Sequence, residues 1–167
     1  MTQKHPQQRM LSLANAYLGA KESAGQHKKF CDVYNSYKPV PRGYKVKYSD
    51  PWGCIFISAL AIMSGCQSII PVECSCWEQA ALFKRRGQWR DKNYRPGVGD
   101  LVYFSWSMND FAIADQVGII TTVSNGSIVV ICGNCDNGVV AKKRYMLNSL
   151  FILGYATPRY SDLVGEV

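Results

Sequence analysis

The chain has 167 residues, 47% of them apolar, which is enough for one domain with a full core and too few for two ordinary ones. Only 19% are charged, which excludes a largely disordered chain, and the longest apolar stretch, Ile55 to Met63, is far below membrane-spanning length. Lys and Arg number 19 against 12 Asp and Glu, a formal charge of +7 that favours anionic partners without choosing among them.

The first half reads as helical. Met10, Leu11, Leu13, Ala14, Tyr17 and Leu18 recur at helical spacing over Gln7 to Leu18, and Gly19 ends that helix. A second helix is predicted over Gly25 to Tyr37, with Phe30, Val33 and Tyr34 inward. Lys38 to Tyr48 holds two prolines and a glycine and reads as loop. Asp50 and Pro51 form a helix start, with Asp as the cap and Pro in the first turn. The helix that follows reaches Ser64, and its even apolarity predicts burial on most sides. A fourth helix spans Cys76 to Arg86.

The second half reads as strands: Leu101–Phe104, Val117–Val123, Ser127–Cys132, Gly138–Tyr145 and Phe151–Tyr155. Ser124-Asn125-Gly126 is a hairpin signal. Helices first and about five antiparallel strands afterwards make an α+β fold. The N-terminal MTQKHPQQRM has no apolar stretch, so a signal peptide is not expected. Cysteines stand at 31, 54, 66, 74, 76, 132 and 135, an odd number. They read as reduced thiols in a cytoplasmic protein.

Taken in order, DPWGCIFIS, IIPVECSC, PGVGDLVYFSW, ADQVGIITTV, IVVICGN and ILGYATPRY resemble the CHAP family. These are cysteine- and histidine-dependent amidohydrolases and peptidases, akin to NlpC-type papain-like hydrolases. The segments GAKES, HKKFCDVYNS and PRGYKVKYSDPW are similar to phage and prophage members. The resemblance covers nearly the whole chain and implies a single papain-like domain over 1–167, with the N-terminal helices packed on the sheet. In the family the core helix begins Trp-Cys-x-x-Phe, with the nucleophile at the helix N-terminus, where thiolate is favoured. The base comes from an Asp-His-Val-Gly strand, and a polar residue, often within Glu-Gly-Asn, orients it. The reaction is cleavage of peptidoglycan amide bonds.

Here Trp52 and Phe56 match that framework, but Gly53 stands at the nucleophile position. Asp115 is followed by Gln116 at the base position, and Cys132 stands at the Glu position. Asn134 alone is retained. Cys54 is a neighbouring thiol, but one step along a helix turns a side chain by about 100°. Gln116 cannot act as a base at neutral pH, and the two histidines, His5 and His27, fall in the N-terminal helical region.

The resemblance therefore implies an inactive pseudoenzyme, encoded by a phage or mobile element, whose former cleft binds and retains a ligand. The expected ligand-binding residues are Trp52, Gly53, Cys54, Tyr103, Trp106, Asp115, Gln116 and Asn134, with Lys45 and Lys47 flanking the cleft. Gly53 is expected to leave room, and Gln116 to offer uncharged hydrogen bonding. Two ligand classes stay open: a small anion, such as a nucleotide-derived defence signal that the protein sequesters, and a peptidoglycan stem-peptide fragment. Two other classes of function compete. One is an active wall amidase or endopeptidase using Cys54. The other is a protein-binding regulator with an exposed apolar patch.

No cofactor and no metal are expected. Cys74-x-Cys76 with Cys132-x-x-Cys135 is a weak zinc spacing, and the sequence shows no helix or charge that would tune Cys132 and Cys135 as a redox pair. Lys84, Arg85, Arg86, Arg90, Lys92 and Arg95, interleaved with Trp89 and Tyr94, read as a helix end and solvated loop before a nucleic-acid surface. Lys142-Lys143-Arg144 reads as charge guarding an edge strand.

Overall fold

The computed structural model describes residues 4–107 and 113–165. Four helices come first: α1 Pro6–Ala16, α2 Lys28–Ser36, α3 Gly53–Ser64 and α4 Cys76–Arg85. Six strands follow: β1 Trp89–Asp91, β2 Leu101–Phe104, β3 Gln116–Ser124, β4 Ser127–Cys135, β5 Val139–Met146 and β6 Ile152–Ala156. They form one antiparallel sheet in the order β1-β6-β2-β3-β4-β5. The α+β class expected from the sequence holds, but the sheet has six strands, not five. The extra strand, β1, is three residues long and pairs Trp89 with Ala156 and Asp91 with Gly154. So short a segment carries no period of its own, and the free edge of β6 recruits it.

Helix α3 is the centre of the fold. Ten of its twelve residues are buried, as its even apolarity requires, and it lies against α1, α2, β3 and β4. Gly65 ends it in the left-handed region at φ 74°, with its amide bonded back into the last turn. Its start departs from expectation. Asp50 does not cap it; the Asp50 Oδ2 accepts from Lys47 N and from the Tyr44 hydroxyl, both at 2.8 Å, and so closes the preceding turn. The helix begins at Gly53, with Trp52 in the cap position and no side-chain cap. Helix α4 is capped as its sequence allows: Ser75 Oγ accepts from Glu78 N at 3.2 Å. Helix α2 begins three residues later than predicted, because Glu22–Ala24 forms a 3-10 turn that ends on Gly25 at φ 70°.

Alternation along the strands sends Leu101, Tyr103, Val117, Ile119 and Ile131 into the cluster that contains the helices. Val102, Phe104, Ile120, Val130 and Cys132 enter a second cluster, with Tyr94 and Tyr145 packed against it. Strand β5 is an edge, and Lys142-Lys143-Arg144 lies on it as the sequence predicts. Among the described residues, no helix is long and apolar enough to cross a membrane.

Candidate functional site

A cleft of about 420 Å³ opens at the N-terminus of α3. Its walls come from three places: Tyr44, Asp50 and Pro51 before the helix, Cys74, Ser75 and Cys76 at the start of α4, and Ala114 and Asp115 ahead of β3. Gly53 and Cys54 form its floor. Glu73, just behind this lining, is buried and receives two hydrogen bonds from Arg42, at 2.7 and 3.1 Å, and one from Cys74 N at 2.8 Å. Burial pushes its carboxyl up, but these donors outweigh burial and hold it below the usual carboxylate range. Cys54 donates to the Glu73 carbonyl at 3.2 Å and is buried. Burial above all, and then the Cys76 thiol beside it, push its pKa well up, so it stays a thiol.

Gln116 occupies the space that the missing side chain at position 53 would need. A Cβ placed on Gly53 would overlap Gln116 Oε1. The amide is internally satisfied: Nε2 donates to the Gly133 carbonyl at 2.9 Å, and Oε1 accepts from Val117 N at 3.0 Å. Gly133 is itself fixed by close approach, since a Cβ there would stand 2.5 Å from Phe56 Cβ. The expectation of extra room at Gly53 is thus corrected, because the glutamine fills it. The amide gives one N–H and its oxygen to the backbone and also lines the neighbouring cavity.

Other expected ligand residues are placed elsewhere. Trp52 and Tyr103 are fully buried; Trp52 packs on Phe30 and His27, and the Tyr103 hydroxyl donates to Gln79 Oε1 at 2.8 Å. Both are core, because strand alternation and the turn before α3 point them inward. Lys45 and Lys47 line a different, open pocket of about 540 Å³ with Asp32, Asn35 and Tyr48, so they do not flank this cleft. His27 is buried with Nε2 2.9 Å from the Tyr48 carbonyl, and His5 caps α1. Tyr44 and Ser75 are lining residues that sequence reasoning misses. Nothing in their residue types marks them; a loop fold-back and a helix start bring them to Gly53.

A second cavity, of about 370 Å³, lies on the other side of Gln116. It is lined by Trp106, Gln116, Asn134, Cys135, Asp136, Lys143, Tyr145 and Phe151. Trp106 and Asn134, both expected in the cleft of Gly53, belong here. Asp115 joins the two regions, lining the first cleft while its Oδ2 accepts from Trp106 N at 2.8 Å. Cys132, at the expected Glu position, is fully buried in the cluster beneath. The neighbouring Cys135 thiol, ahead of burial, pushes the Cys132 pKa well up. The Cys132 thiol in turn lowers the Cys135 pKa, burial opposes this, and the Lys143 ammonium lowers it further. Among the described residues, no three His, Cys, Asp or Glu side chains are grouped so as to hold a metal ion.

No protein-family model matches the chain, and no curated protein matches it. A solved structure, "The crystal structure of Ly7917", is similar to it at 14% identity, with a TM-score of 0.40 over 61% of this chain. That likeness spans 52%, about half, of the other protein's length.

Proposed function

We propose that this chain is a catalytically inactive protein of the papain-like CHAP type that holds a ligand in the cleft at the N-terminus of α3. Gln116 carries the reading. Its amide oxygen fills the place of a side chain at position 53, and its nitrogen is committed to Gly133. Cys54 supports it, being buried, bonded to a carbonyl and held as a thiol. A thiol without a neighbouring base is a poor nucleophile toward an amide. Both histidines have other posts, at the cap of α1 and against Trp52.

The lining of the cleft narrows the ligand. Asp50 and Asp115 supply carboxylates, Tyr44 and Ser75 supply hydroxyls, and no Lys or Arg lines it among the described residues. An anion, the ligand expected from the net charge, would face two carboxylates there. An amine-bearing peptide fragment fits this lining and keeps the substrate class that the family resemblance implies. Origin in a phage rests on the same resemblance, residence in the bacterial cytoplasm rests on the reading of the seven cysteines as reduced thiols, and both belong to the same proposal.

Isothermal titration with a synthetic wall tripeptide carrying a free lysine amine, and with ATP as the anionic competitor, tests this. The tripeptide is expected to bind, and Asp115→Asn to weaken it by roughly tenfold through loss of a charge-assisted contact. Binding of ATP in place of the peptide would overturn the ligand class. Lysis of bacterial walls that vanishes in Cys54→Ala would overturn the inactive reading.

A further inference from the structure

Cys135 lines the second cavity, and an irregularity in the sheet places it in the same apolar cluster as Cys132. Residues three apart on a regular strand point to opposite faces. Along β4, Ile128, Val130 and Cys132 point into one cluster, so position 135 belongs on the opposite face. It does not lie there, because the register shifts between Cys132, opposite Ala141, and Cys135, opposite Val139. Three steps on β4 face two on β5, a bulge with Asn134 in the left-handed region at φ 54°. The extra residue turns Cys135 into the same cluster as Cys132. Gly118 makes the space beneath: a Cβ there would stand 2.6 Å from Cys132 Sγ.

The two thiols differ in access. Cys132 has no exposure, whereas Cys135 lines the cavity. The charged and titratable groups around Cys135 are Cys132 on its own strand, Lys143 and Tyr145 from β5, and Asp136 in the turn. Lys143 is paired with Asp136 and lies on the cavity wall. Gln116 Nε2 lies 4.0 Å from Cys135 Sγ. Trp106 and Phe151, with ring centroids 5.5 Å apart, give the cavity an apolar wall. A thiol on a cavity wall, 8% exposed and backed by a fully buried one, beside a cation, is the arrangement that thiol–disulfide exchange needs.

We propose that Cys135 and Cys132 form a thiol–disulfide exchange site whose substrate is a small organic disulfide entering the second cavity. The Cys135 thiolate attacks one sulfur of the disulfide. A protein–substrate S–S bond forms, the substrate S–S bond breaks, and the first half leaves as a thiolate that takes a proton from solvent. Cys132 then gives up its proton and attacks the Cys135 sulfur. The mixed disulfide breaks, and the second half leaves as a thiol. The protein dithiol is oxidised by two electrons to a Cys132–Cys135 disulfide, and the substrate is reduced to two thiols. This site is separate from the cleft at α3, and its chemistry stands or falls without that reading.

Native full-length protein, fully reduced, is mixed with 5,5′-dithiobis(2-nitrobenzoate) at neutral pH. Product is then read by intact mass and peptide mapping, so that labelling of the half-buried Cys74 is distinguished. A linked Cys132–Cys135 peptide without adduct is expected in the wild type. Cys132→Ala, which keeps an apolar side chain in the cluster, is expected to trap a stable adduct on Cys135. Cys135→Ser is expected to slow the release of thionitrobenzoate from this site by at least about tenfold, and Lys143→Met to slow it several-fold. A lasting adduct on wild-type Cys135, or the absence of any Cys135 product while Cys74 is labelled, would overturn the proposal. The wild-type peptide map distinguishes these outcomes even if a variant fails to fold.

Discussion

At the scale of single residues, Gly53 and Gln116 act as one unit. The glycine is needed because the glutamine amide lies against it, and the amide stays there because Gly133 and Val117 hold both of its ends. Gly53→Ala is therefore expected to destabilise the protein by about 1–3 kcal/mol through overpacking. Gln116→Ala should cost about 1–3 kcal/mol by leaving the buried Gly133 carbonyl without its donor. The double variant should cost clearly less than the sum, since the added Cβ then enters space that the amide has vacated. Urea denaturation of the four proteins measures this, and simple additivity would mean that the two positions share no space. The pair also shows how far the site is legible. The residue types at 53 and 116 point to lost catalysis, but their sequence separation hides that one side chain fills the place of the other.

Elements are joined around the first cleft by Arg42 and Glu73. Arg42 lies in a 3-10 turn, Pro41–Gly43, at φ 53°, and Glu73 lies just before α4, so their ion pair ties the loop ahead of α3 to the wall opposite. Because Glu73 is held below the usual carboxylate range, folding favours its ionised form. The pair's contribution is fully present above the unfolded carboxylate pKa, about 4.3, and is lost as pH falls through the depressed folded value. Arg42→Met leaves a buried carboxylate without its cation. It should cost about 2 kcal/mol at pH 7, discounted because half of the Arg42 side chain is exposed. The gap to wild type should narrow as pH falls from 7 through the carboxylate range toward the depressed folded value, as protonation of Glu73 removes its pairing with Arg42. Thermal melts of both proteins across that range check the sign, and a gap that widens on acidification would contradict it. At the start of α4, Ser75 Oγ takes the cap role by accepting from Glu78 N. The cap expected at Asp50 fails, because a turn with Lys47 and Tyr44 competes for its carboxylate.

For the whole molecule, the six-stranded sheet carries apolar clusters on both faces, and α3 packs on β3 and β4. Neither cluster can be exposed without stripping the strands that bury the other. A single cooperative unfolding transition is expected in urea, with tryptophan fluorescence and far-ultraviolet circular dichroism coincident. Trp52 reports the helix side and Trp106 the second cavity, so two separated transitions would show that the chain is not one folding unit.

Local pattern determined the parts of this protein that local pattern can determine. The apolar run of α3, the continuous β-rich runs of β2 and β3, and the Asn125-Gly126 turn carry their own composition and turn chemistry, so each is readable where it stands. Tertiary structure alone decided the rest. It added β1 by pairing a patternless triplet with β6, and it buried Trp52 and Tyr103 in the core. It carried Lys45 and Lys47 to another pocket and, through one bulge, turned Cys135 into the apolar cluster that holds Cys132. Those outcomes depend on which distant segments share space, and a pattern of neighbours along the chain holds no record of that.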